Sequence, residues 1–120
     1  MHYKLDGKMA VQCADLWDWA EWMQTGDNRV ALDEIGGIRV STVFLGLDHN
    51  WSRQGDPLLF ETMVFMLDDE AGDMNRYFTW GEAEAGHKKI VELIKVQLAD
   101  AEFLTKDTLR DLMKKAKSED

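Results

Sequence analysis

Residues 29–47 read RVALDEIGGIRVSTVFLGL, two β-rich runs joined by Gly36-Gly37. Paired glycines between such runs signal a tight hairpin, because the turns that match strand twist need positive φ. In the second run Val40, Thr42 and Phe44 fall on one face, and Ser41, Val43, Leu45 and Leu47 on the other. Both faces are mostly apolar, which predicts a central strand covered at least partly on both sides.

Downstream, the polar loop DHNWSRQGDP (48–57) leads into LLFETMVFML (58–67), a third strand rich in aromatic and aliphatic residues. An acidic turn, DDEAGDMN (68–75), precedes RYFTW (76–80), which reads as a short fourth strand at an edge. Thr79-Trp80-Gly81-Glu82 has the spacing of a capping box and opens a long helix. Its inward stripe is Ala83, His87, Ile90, Ile94, Leu98 and Ala101, and Gly86 costs it about 1 kcal/mol against alanine. Asp107 is the expected cap of a last helix with Leu109, Leu112, Met113 and Ala116 inward. Residues 104–120 read as a C-terminal helical extension.

Upstream, residues 1–10 read as a lead-in. Cys13, Leu16, Ala20 and Met23 recur at helical spacing, joined by Trp19 with Trp22 at the edge, so a helix is expected from about Leu16. Gly26 and Asn28 are expected to end it with positive φ. The order is then α-β-β-β-β-α-α in one domain, 1–120. Strands segregated from helices make it α+β: an N-terminal helix, an antiparallel meander of about four strands, and a long and a short C-terminal helix packed on one face.

The chain has 120 residues, enough for one core without staples. Its net charge of −9 repels nucleic acid; it reads first as a solubility device and otherwise as a field that steers the chain toward a basic partner. A lone cysteine, Cys13, excludes an intrachain disulfide and reads as a buried structural thiol on the helical stripe. Met1–Ala10 carries no apolar run of signal length, and no stretch approaches a membrane span, so the expected location is the cytoplasm. No cofactor motif is present: there is no phosphate loop, HExxH, GxSxG or paired CxxC.

Candidate site residues come from polar groups in unusual places. Asp48-His49 closes the central strand and opens the longest loop. The pair suits a general base or half a metal site, or else a turn-capping Asp and a sheet-capping His. Glu61 sits in an otherwise apolar strand, where a carboxylate needs a partner such as Arg39, Arg76 or a histidine. His87 lies on the inward stripe of the long helix. His49, Glu61 and His87 together would make a two-His, one-carboxylate set, although no tightly bound metal is expected. Five tryptophans exceed what a small core needs; Trp17, Trp22 and Trp51, with Arg53 beside the last, are candidate partner contacts. Apolar residues on both faces of 58–67 further suggest a two-fold dimer.

The strings RVSTVFLGLDHN (39–50), PLLFETMVF (57–65) and RYFTWGEAEAGH (76–87) resemble a family of short uncharacterised proteins of tailed bacteriophages and prophages. The resemblance covers roughly Leu16 to Ile94. It implies recurring polar positions at Thr42, Asp48, His49, Glu61, Thr62, Trp80 and His87. It departs at Asn50-Trp51-Ser52-Arg53 and at Met66-Leu67-Asp68-Asp69, where the family usually has glycines. It implies a small accessory protein in the host bacterial cytoplasm. Such a protein would bind and modulate a host macromolecule, in host takeover or counter-defence, without enzymatic activity. The alternative is a small-molecule or nucleotide-binding protein or enzyme built on Asp48, His49, Glu61 and His87.

Overall fold

A computed structural model describes residues 1–52, 54–66, 72–100 and 104–118. The architecture is α+β, with three helices and two antiparallel sheets. The Gly36-Gly37 turn forms as the sequence demands, with φ of 55° and 83°. It joins β3 (Arg29–Ile35) to β4 (Ile38–Phe44), followed by β5 (Phe60–Phe65) and β6 (Asp73–Tyr77). These four strands pair in chain order as an antiparallel meander.

The register assigns each face. Directly opposed residues share a face, so Val40 and Val64 lie together, as do Thr42 with Thr62 and Phe44 with Phe60. All six are essentially solvent-free. Helix α2 (Trp80–Asp100) lies on this face, with Ile90 and Ile94 against Val40 and Val64. Helix α3 (Lys106–Ser118) joins it and buries Leu109, Met113 and Ala116 in the same core. The segment read as an extension is therefore core structure. Its cap is Thr105, whose Oγ1 accepts from the Thr108 N–H, rather than Asp107.

The capping box at α2 is reciprocal. Thr79 Oγ1 accepts from the Glu82 N–H at 3.1 Å, and Glu82 Oε1 accepts from the N–H groups of Phe78 and Thr79. Gly86 has a packing reason: a Cβ there would lie 2.5–2.6 Å from the Tyr77 ring and hydroxyl. The glycine lets α2 settle onto β6.

The N-terminal segment departs from expectation. Residues 1–10 are not a lead-in. They belong to a hairpin of β1 (Tyr3–Asp6) and β2 (Met9–Gln12), turned at Gly7 with φ 63°. Leu5 packs with Phe44, Leu59, Phe60 and Tyr77, closing that end of the sheet. Cys13 follows β2 rather than riding on α1 (Leu16–Thr25), whose cap is Asp15. None of α1 is fully buried; Trp19, Ala20, Trp22 and Met23 are half-buried and Leu16 is exposed. Gly26 ends the helix in extended backbone, φ −80°, not in the left-handed region. Glycine is required there because a Cβ would sit 2.6 Å from the Trp22 ring. Strand β6 also begins earlier than the sequence suggested, within the segment read as an acidic turn.

Candidate functional site

One chain of polar side chains is buried between the sheet and α2. Nε2 of His87 lies 2.7 Å from Oδ2 of Asp33, Nδ1 lies 2.7 Å from Oγ1 of Thr42, and Thr42 Oγ1 is 2.5 Å from Thr62 Oγ1. An ionised carboxylate only accepts. With the imidazole neutral, Nε2–H donates to Asp33, Nδ1 accepts from Thr42, and Thr42 accepts from Thr62. The connectivity is that of a hydroxyl–imidazole–carboxylate relay. Its hydroxyls, however, have no exposed surface, and His87 is only 2% exposed. A nucleophile must reach its substrate's carbonyl, and this one is sealed between sheet and helix. Asp33 alone opens to solvent, with its side chain half exposed. The cluster's chemistry is to satisfy polar groups in an apolar layer. Thr42, Thr62 and His87 meet here. Asp33, which completes the chain, was not singled out in the sequence because it lies 54 residues from His87 on an exposed-looking edge strand.

Glu61 lies on the other face of the sheet, opposite Val43 on β4 and Arg76 on β6. The Arg76 Nε–H donates to Glu61 Oε2 at 2.9 Å, and the Glu61 side chain is 14% exposed. This is the partnered carboxylate its sequence context required. It also separates Glu61 from His87 by the thickness of the sheet. The trio of His49, Glu61 and His87 does not converge, because strand alternation sends Glu61 to the face opposite Thr62, whose hydroxyl bonds the His87 partner Thr42. Among the described residues no group of three His, Cys, Asp or Glu side chains is placed to hold a metal.

Asp48 and His49 serve the loop. Asp48 Oδ1 accepts from the N–H groups of Asn50 and Leu58, at 2.8 and 3.0 Å, pinning both ends of the segment. His49 Nδ1 donates to the Leu47 carbonyl, at 2.8 Å, and its ring lies 5.6 Å from that of Trp51. The loop interior is held by Asn50, which donates to the carbonyls of Gln54 and Asp56. Arg53 lies outside the described residues. Trp51 and Trp17 project into solvent, 77% and 85% exposed, as a contact role requires. Trp22 does not: it packs edge-on against Phe44 at 5.6 Å.

Cys13 is buried, its Sγ 3.4 Å from the Asp15 carbonyl and 3.5 Å from Asp18 Oδ2. Burial pushes the thiol above its ordinary value, and the hydrogen bond to Asp18 adds to this. Asp18 itself is held low by its bond to Lys4, then by Cys13. A raised pKa is the opposite of what a reactive thiol needs.

A cavity of about 230 Å³ opens between the β1–β2 turn and the start of α2, lined by Tyr3, Lys8, Met9, Pro57, Phe60 and Trp80 among others. The Lys8 ammonium stands 5.8 Å from the Trp80 ring centroid. No described residue of the Asp48, His49, Glu61 and His87 set lines it.

No family model, curated protein or solved structure matches this chain. Function must therefore be argued from surfaces and geometry.

One surface was only half legible in the sequence. Helices α2 and α3 both contact the buried face of the meander, and among the described residues no helix lies on the opposite face. That face carries Leu32, Ser41, Met63 and Met74 in one row, with Glu34, Arg39 and Phe65 on one side and Arg29, Val43, Glu61 and Arg76 on the other. Leu32 and Met74 are 48% and 47% exposed. Arg39 lies over the Phe65 ring at 4.9 Å, and Arg76 is held by Glu61. Apolar alternation on both sides of β5 signalled the face. Which side the helices would take was not readable.

Proposed function

We propose that this is a non-enzymatic accessory protein that acts by docking on another protein, with the open face of the four-stranded sheet as its contact surface. One observation carries the reading: the sheet has one side packed by helices, and its other side, which carries Leu32, Val43, Met63, Phe65 and Met74 among charged residues, is covered by no helix among the described residues. Exposed contiguous apolar patches on a soluble domain mark interaction sites. The composition fits. Methionine, aromatic and arginine side chains are enriched in interface cores and lysine is depleted; this face has Met63, Met74, Phe65, Arg29, Arg39 and Arg76, and none of its named residues is lysine.

The resemblance to phage proteins points to a host protein in the bacterial cytoplasm. Three arginines against two glutamates give the face a charge of +1, so with −9 over the whole chain the remaining residues carry −10. That remaining charge steers a basic protein, such as a nucleic-acid-binding one, toward the molecule, while the face supplies the apolar contact. Direct binding to nucleic acid is disfavoured by the same field.

The test is to identify a co-purifying host protein, rebuild the complex from pure components and measure its affinity. Leu32→Asp and Met74→Asp should each weaken it by about tenfold or more, an apolar anchor being worth at least 1.4 kcal/mol. Equal affinity for both variants would move the contact elsewhere, with Trp17 and Trp51 next in line.

A further inference from the structure

We infer that in the free protein the open sheet face is occupied by a second copy of the chain, packed face to face about a two-fold axis. The inference rests on the docking reading of that face and names its resting occupant. The face is self-complementary. Take an axis in the plane of the interface, perpendicular to the strands, passing through the row of Leu32, Ser41, Met63 and Met74. It lays that row on its own copy, so leucine meets leucine and methionine meets methionine. It also exchanges the two flanking rows. Glu34 then faces Arg29 of the second copy, and Arg29 faces its Glu34, both on the exposed β3 edge. Glu61 comes to face Phe65 of the second copy, beside which Arg39 is stacked. The alternative axis, along the strands, would set Arg29 against Arg76. Charge pairing selects between the two, since like charges across an interface cost several kcal/mol while opposite charges fix register.

Size sets the strength. Four strands about 4.8 Å apart and five residues at about 3.4 Å rise give a face of roughly 19 × 17 Å. That is well under the roughly 800 Å² per partner of a standard interface. The expected dimer is therefore reversible and in exchange with monomer, and a host protein that needs this face displaces the second copy to reach it.

Sedimentation equilibrium over a wide concentration range tests this. The wild type should move from 13.8 kDa toward twice that mass. Glu34→Arg and Arg29→Glu should each weaken association by about tenfold, and the double reversal should recover most of it, the pair being restored in the opposite sense. Arg29, Leu32, Glu34 and Met74 are all exposed, so these substitutions spare the core. A monomer at every concentration overturns the inference. If Met74→Asp still abolishes host-protein binding in that case, the docking reading stands alone. A dimer indifferent to Leu32→Asp and to both charge reversals overturns the face-to-face arrangement, and host binding equally indifferent to Leu32→Asp removes the docking reading as well.

Discussion

Nε2 of His87 lies 2.7 Å from Oδ2 of Asp33, joining the long helix to the edge strand at the polar end of a chain that runs inward to Thr42 and Thr62. The carboxylate is half in water while the imidazole is sealed. This separates the members energetically. Thr42→Val strands a buried imidazole nitrogen and should cost about 1–3 kcal/mol. Asp33→Asn, at a half-exposed position, should cost less. Thr42→Val with Thr62→Val should cost less than the sum of the two, because the second change removes a hydroxyl already deprived of its acceptor. Chemical denaturation of the four variants checks this; strict additivity would contradict a connected chain.

Gly86→Ala should destabilise the protein although it lies inside a helix. Helix propensity alone favours alanine by about 1 kcal/mol. The new methyl would meet the Tyr77 ring at about 2.6 Å, and overpacking of that kind costs about 1–3 kcal/mol. A lower denaturation midpoint is expected, and a raised one would mean that α2 does not press on Tyr77.

Thr79→Ala should cost about 1 kcal/mol through loss of the cap on α2. Because Glu82 Oε1 serves two N–H groups, Glu82→Ala should cost a similar amount. Unchanged midpoints for both would contradict the capping box.

Cys13 should react with an aromatic disulfide reagent on the order of tenfold or more slowly in the native protein than in denaturant, since burial and Asp18 both oppose the thiolate. Equal rates would show the thiol to be open. The adjacent Asp18 carboxyl is held below its ordinary 3.8. A depressed folded-state value contributes stability above the unfolded pKa and loses it as pH falls through the folded one. The Lys4–Asp18 link between β1 and α1 should therefore persist at neutral pH and fail only in strong acid, as amide exchange in α1 would report.

The meander was legible because Gly36-Gly37, the alternation of Val40, Thr42 and Phe44, and the Thr79–Glu82 spacing are local signals. The N-terminal hairpin was not. Its strands span four residues each and its turn rests on Gly7 alone, too short a pattern to stand out from a polar lead-in. The partner of Glu61 could be narrowed to a few cations, and Arg76 was among them. The partners of His87 could not be narrowed, since Asp33 and Thr42 reach it only through the stacking of α2 on the sheet. Trp22 looked like a contact residue because helical spacing put it at the edge of a stripe. In the fold that edge meets Phe44.

In the proposed resting state a second copy of the chain covers the open sheet face. Methyl NMR of the seven methionines tests it most directly. Met63 and Met74 report the face, Met113 the core, and Met9 the exposed β2 strand. Raising the protein from low micromolar to near-millimolar concentration should shift the Met63 and Met74 methyls while leaving Met9 and Met113 in place. Concentration-dependent shifts at Met9 with Met63 and Met74 unmoved, or no dependence in any methyl, would contradict the account.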